Sequence, residues 1–177
     1  MHSSPIKILT VSGSLRENSS TQIVLNFLEK STAANVVVTQ YKGIADLPHF
    51  NDSNEVPSTV EAWRRQLTEA DGVLICTPEY AFGVPGSLKN ALDWTVGSCE
   101  FVNKPVAVIT AATGGDKAHA SLLLTLSALS SKVSDEAALL IPFIRSKIDK
   151  EGNIKDSETE RALLAVWNAL IKSIVNL

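Results

Sequence analysis

The sequence predicts an α/β fold, a doubly wound sheet of five parallel strands with helices on both faces. Short apolar runs alternate with stretches of helical periodicity five times along the chain. That alternation puts a parallel sheet between two helix layers, and five units fall short of the eight a barrel needs. With 177 residues, 45% of them apolar and 20% charged, the chain is expected to form one domain over residues 1–177 with a sizeable core.

The first strand is expected over residues 6–12, a run rich in β-branched side chains. It ends at Gly13-Ser14-Leu15-Arg16, and Ser19 or Ser20 suits the N-cap of a helix with Ile23, Val24, Phe27 and Leu28 on one face. Residues 36–41 form the second strand. A polar connection over residues 42–57 follows, and connections that long often carry function. Ser58-Thr59-Val60-Glu61 has the form of a capping box, opening a helix faced by Val60, Trp63 and Leu67. Residues 72–77 are the third strand, whose run 72–76 is apolar and of buried type.

A turn with two prolines and two glycines leads from there to a short helix lined by Leu88, Ala91, Leu92 and Thr95. The fourth strand is expected over residues 105–110, with Asp116 capping a helix that carries Leu122, Leu126 and Leu129. The fifth spans 137–144, where Pro142 suits an edge strand because no ladder donor is needed there. A second capping box, Ser157-Glu158-Thr159-Glu160, opens the last helix, with Leu163, Val166, Trp167, Leu170, Ile171 and Ile174 on one face.

Composition excludes several functions. A net charge of −3 without a basic stripe argues against a nucleic-acid partner. No window approaches the roughly 18 apolar residues of a membrane span, and the first residues lack a signal-type apolar stretch, so a cytoplasmic protein without a membrane partner is expected. Cys76 and Cys99 lack metal-type spacing and His2, His49 and His119 are scattered, so no metal site is expected.

Three loops stand at carboxyl ends of strands, where ligands of such sheets bind: residues 13–21, 78–84 and 113–116. The first carries Ser14, Arg16, Ser19, Ser20 and Thr21 into a helix start, a combination suited to phosphate, although a capped helix beside an exposed arginine accounts for this loop alone. It is not a Walker loop and lacks Gly-x-Gly-x-x-Gly. The second, with Pro78, Glu79, Tyr80, Ala81 and Phe82, offers walls for a planar ring. The third, Thr113, Gly114 and Gly115, allows close backbone approach. Together they amount to one mononucleotide's worth of parts, better matched to FMN than to an adenine dinucleotide.

Gly13-Ser14-Leu15-Arg16 with Ser19, Asp46-Leu47-Pro48-His49-Phe50-Asn51, and Pro78-Glu79-Tyr80 followed by Pro85-Gly86-Ser87-Leu88-Lys89-Asn90-Ala91-Leu92-Asp93-Trp94 resemble the NAD(P)H-dependent FMN reductase family. That family includes quinone, chromate and azo-dye reductases of flavodoxin-like fold, which implies strand order 2-1-3-4-5. The resemblance implies FMN as cofactor, NAD(P)H as co-substrate, a small-molecule electron acceptor, and a homodimer or homotetramer. By the same resemblance Ser14, Arg16, Ser19 and Thr21, with Ser20 beside them, meet the FMN phosphate. Pro78, Glu79, Tyr80, Ala81 and Phe82 meet the flavin ring, and Thr113, Gly114 and Gly115 form a third contact. The family commonly has Asn where this chain has Ala81, Ser where it has Gly83, and Asn where it has Thr21. The first two changes remove side-chain hydrogen bonds and leave more of the ring contact to backbone.

No catalytic side chain is expected, since a flavin does the hydride chemistry and the protein positions it. Lys89, Asn90 and Asp93 read as structural, Asn90 and Asp93 tying down their own turn. Glu79 and Tyr80 are the candidates for shaping the nicotinamide or acceptor site. The rival is a flavodoxin-type electron carrier without pyridine-nucleotide activity.

Overall fold

The computed structural model describes residues 4–53 and 55–176. Five parallel strands, β1 (Ile6–Ser12), β2 (Val36–Tyr41), β3 (Gly72–Thr77), β4 (Val106–Ala111) and β5 (Ala138–Ile141), form one sheet in the order β2-β1-β3-β4-β5. The helices are α1 (Ser20–Lys30), α2 (Ser58–Glu69), α3 (Gly86–Asp93), α4 (Asp116–Ala128) and α5 (Ser157–Val175).

Strand residues alternate between two cores, as a period of two requires. Leu9, Val11, Val73, Ile75, Val106 and Val108 pack beneath α2, α3 and α4. Ile8, Leu74, Cys76, Ala107 and Ile109 pack beneath α1 and α5. Every residue of β3 and β4 is buried, which explains why neither strand reads as alternating polar and apolar. The apolar side of α3 belongs to this interior: Leu88, Ala91, Leu92 and Thr95 are all buried. Burial also pushes the Cys76 thiol far up, so it is an inert core residue.

Helix starts differ from the sequence reading, for local reasons. Ser58 does not cap α2. Pro57 occupies the N-cap with φ −62°, and its carbonyl accepts from Val60 and Glu61, so the helix begins a residue earlier than a capping box would place it. Ser157 likewise lies inside α5, whose cap is Asp156, accepting from the Thr159 amide at 2.9 Å. Hydrogen bonds from Thr159 and Lys147 hold the Asp156 carboxyl down at about 2.

Asp116 is the first residue of α4 rather than its cap. Gly115 precedes it with φ +105°, and a Cβ at Gly115 would lie 2.7 Å from Leu140 Cδ1, so both conformation and space demand glycine there. The fifth strand is half the expected length. Pro142 has no N–H to continue the ladder and Phe143 turns left-handed at φ 53°, sending the chain into a 3₁₀ turn over Ile144–Lys147.

Candidate functional site

The carboxyl ends of β1, β3 and β4 are adjacent in the sheet, and the loops leaving them enclose an open cleft of about 140 Å³. Ser14, Arg16, Ser19, Ser20 and Thr21 form one wall, Pro78, Glu79 and Tyr80 a second, and Thr113 and Gly114 a third. Ala81, Phe82 and Gly115 lie outside it. Four residues that sequence reasoning missed complete the lining: Ala111, Ala112, Ile144 and Arg145.

The first wall begins with a close crossing of two strand ends. Gly13 donates its amide to the Cys76 carbonyl at 2.8 Å, and a Cβ on Gly13 would lie 2.5 Å from Thr77 Oγ1. Beneath it the hydroxyls of Ser12, Thr21 and Ser19 form a buried chain, 3.1 Å from Ser12 to Thr21 and 2.8 Å from Thr21 to Ser19. Ser19 also caps α1, accepting from the Gln22 amide at 3.2 Å. Ser12, absent from the expected set, therefore braces it. Thr21, only 1% exposed, spends its hydroxyl inside the protein. What remains for a ligand is the amide pair of Ser20 and Thr21, without acceptors among the described residues, and the exposed guanidinium of Arg16. Unpaired amides at a helix start beside a free cation are the donor set a phosphate requires.

The second wall holds the main departure from expectation. Glu79 does not point at open space. Its carboxylate accepts from the Gly115 amide at 3.2 Å and the Ala118 amide at 2.9 Å, capping α4 from another loop. Its negative charge thus sits on the positive end of a helix, and the proline turn and glycine loop are held together. Tyr80, about half exposed, bonds back to Gly83 through both backbone groups, at 2.9 and 3.0 Å. Ala81 and Phe82 then occupy the centre of a tight turn at φ 48° and 60°. Both values match a type I′ turn, which favours Asn-Gly, and Phe82 is 80% exposed at its tip. Replacing Ala81 by Asn and Phe82 by Gly is expected to raise stability by about 1–2 kcal/mol, measured by urea unfolding; no gain would show that the turn carries no strain.

Asn90 and Asp93 do not tie down their own turn. Asn90 accepts from the Phe50 amide at 2.8 Å and donates to the Pro48 carbonyl at 3.0 Å, while Trp94 Nε1 donates to the same carbonyl at 2.7 Å. These side chains anchor the long connection 42–57 against α3. Among the described residues Asp93 pairs with Lys89 alone, at 2.6 Å on the surface. On α4, His119 shares a hydrogen bond with Thr110 Oγ1 at 2.9 Å, and burial lowers its pKa.

A larger groove of about 670 Å³ runs between α1 and residues 148–154. Its walls include Gln22, Asn26, Asp149 and Glu160, but neither the proline turn nor the glycine loop reaches it. Volume alone therefore points away from the chemistry. Among the described residues no group of His, Cys, Asp and Glu could hold a metal ion, and no helix is long and apolar enough to cross a membrane.

The strand order and this cleft define a flavodoxin-like, mononucleotide-binding α/β protein. Residues 6–145 match the NADPH-dependent FMN reductase family, and the chain belongs to it. It is 34% identical to a quinone reductase of Escherichia coli strain K12 over 89% of each chain. It is 32% identical to a 2-hydroxy-1,4-benzoquinone reductase of a Burkholderia species, over 89% of this chain and 90% of that one. Among solved structures it is similar to FerB, a flavoenzyme NAD(P)H:(acceptor) oxidoreductase from Paracoccus denitrificans, with TM-score 0.83, 28% identity, and 97% and 98% of the two chains covered. The protein is an oxidoreductase with FMN as its flavin and NAD(P)H as co-substrate, and these relatives do not favour a bare electron carrier.

Proposed function

We propose that the chain works as a single domain that holds FMN in the cleft between β1, β3 and β4 and reduces a quinone-type acceptor with NAD(P)H. The observation that carries this reading is the Ser20 and Thr21 amides, unpaired among the described residues, in a cleft that Arg16 and the proline turn also line. The quinone acceptor is supported by the names of the Escherichia coli and Burkholderia relatives. A cytoplasmic homodimer or homotetramer completes the proposal.

The chemistry FMN supplies when bound is two-electron transfer between nicotinamide and acceptor. Phosphate binding falls to the Ser20 and Thr21 amides, the Arg16 guanidinium and the Ser14 hydroxyl. Ser14 Oγ already accepts from the Arg16 amide at 3.3 Å and so shapes the loop that presents the arginine. Tyr80 and the backbone of 113–114 would meet the ring, and the Glu79 carboxylate is engaged by α4 rather than free to do so. No catalytic side chain is proposed, since the flavin would do the hydride chemistry and the protein would position it.

The test is anaerobic absorbance titration of FMN-reconstituted, desalted protein with NADPH and then NADH. Prompt bleaching supports the reductase; retained flavin that stays oxidised overturns it. Arg16→Ala is expected to weaken FMN binding by about 1.5–3 kcal/mol, the value of a charged hydrogen bond, read by flavin fluorescence quenching. Unchanged affinity would remove Arg16 from the phosphate site.

A further inference from the structure

We propose that Arg145 is a second cationic ligand of the flavin phosphate, reaching the cleft from the β5 side while Arg16 reaches it from β1. The inference rests on the phosphate reading above and adds a residue that no motif of the sequence singles out.

Arg145 lines the same cleft as Ser14, Arg16, Ser19 and Ser20. The start of α1 and the segment after β5 thus border one cleft. The arginine is delivered there by backbone rather than by chance of rotamer. After β5, the Phe143 amide donates to the Thr113 carbonyl and the Ile144 amide to the Ala112 carbonyl, each at 3.2 Å, which fastens the segment to the glycine loop. Ile144, 2% exposed, is buried in the α1–α5 core, so the residue after it must emerge at the cleft edge. The left-handed Phe143, at φ 53°, makes this path possible, and a bulky residue in that conformation is a strained one.

Charge points the same way. Among the described residues Arg145 has no ion-pair partner, whereas Lys147, two residues on, is paired with Asp156 at 3.1 Å. Glu79 is the sole acid lining the cleft, and its carboxylate is engaged by two amides of the α4 start. Two arginines thus line a cleft whose one carboxylate, among the described residues, is already engaged. A phosphate monoester carrying about −1.5 to −2 charges is the anion that balances two such cations, and guanidinium suits its geometry.

Dissociation constants for FMN and for riboflavin, which lacks the phosphate, separate this role from others. In Arg145→Ala, FMN affinity is expected to fall about 10- to 100-fold, the span for a lost charged hydrogen bond, with riboflavin affinity unchanged. Arg145→Lys should recover part of the loss, because it restores charge without the fork. FMN and riboflavin affinities falling together would overturn the proposal, as would unchanged FMN affinity. A raised KM for NAD(P)H with normal FMN affinity overturns it as well, and gives Arg145 to the reductant's phosphates. Should Arg16→Ala and Arg145→Ala both leave FMN affinity intact, the phosphate reading itself fails; loss in Arg16→Ala alone overturns only the role of Arg145.

Discussion

Glu79→Ala is expected to destabilise the fold by about 2–3 kcal/mol while turnover per bound flavin stays near that of the unaltered protein. The carboxylate makes two hydrogen bonds to amides of the α4 start, at 3.2 and 2.9 Å, and nothing nearby can replace it. Gly115, at the cap position, has no side chain and cannot acquire one at φ +105°. Asp116 is exposed and directed at Lys117, 3.3 Å away. A helix cap is worth about 0.5–2 kcal/mol and a hydrogen bond to a charged group about 1.5–3 kcal/mol. Because both bonds serve one helix end they are not additive, which sets the estimate. Glu79→Gln keeps one acceptor oxygen and should lose about half as much. Urea unfolding of the apoprotein reads the stability, and single-turnover reduction of reconstituted protein reads the chemistry. Stability unmoved with turnover collapsed would instead return Glu79 to shaping the nicotinamide or acceptor site, the role its place in the proline turn first suggests.

That expectation shows where a sequence stops being legible. The strands β1, β2 and β3 and the three loops that meet at the cleft follow from local periodicity and from turn residues, so they can be read in order along the chain. The capping of α4 by Glu79 joins residues 36 and 39 positions apart, and no local pattern encodes a bond between loops. Arg145 escapes for the same reason: it follows an edge strand that a Pro142–Phe143 turn ends early, so its place depends on β5 lying beside β4. The tight turn at Ala81-Phe82 hides because its usual signature, Asn-Gly, is missing while the geometry is kept. Ser58 and Ser157 mislead in a simpler way. Each follows a residue, Pro57 or Asp156, that starts the helix at least as well.

The long connection 42–57 yields the second large effect, in Asn90→Ala. Beyond a 3₁₀ turn at Ile44–Asp46 the described residues of this segment have no regular structure, so their order depends on what they touch. Asn90 supplies an acceptor to the Phe50 amide at 2.8 Å and donors to the Pro48 and Leu47 carbonyls at 3.0 and 3.4 Å. Trp94 adds its indole N–H, and its ring meets Phe50 edge-on at 5.2 Å. Truncating Asn90 leaves the Phe50 amide and the Leu47 carbonyl without this partner, while Trp94 still holds the Pro48 carbonyl, a cost of about 1–3 kcal/mol. Asn90→Asp should be nearly as damaging: it keeps the acceptor for Phe50 but sets a negative charge against two carbonyls that need a donor. Asp93→Asn, by contrast, removes one exposed pair spaced i, i+4 and should cost no more than about 0.5 kcal/mol. Urea unfolding ranks the three variants, and limited proteolysis within 47–53 shows whether the loss is local. If Asn90→Ala unfolds and resists protease like the unaltered protein yet fails to turn over, Asn90 acts on the ligand and the anchoring role is wrong. If cleavage in 47–53 rises while reduction of bound flavin persists, the motif that most marks this chain's family is a clamp on a loop rather than part of the chemistry.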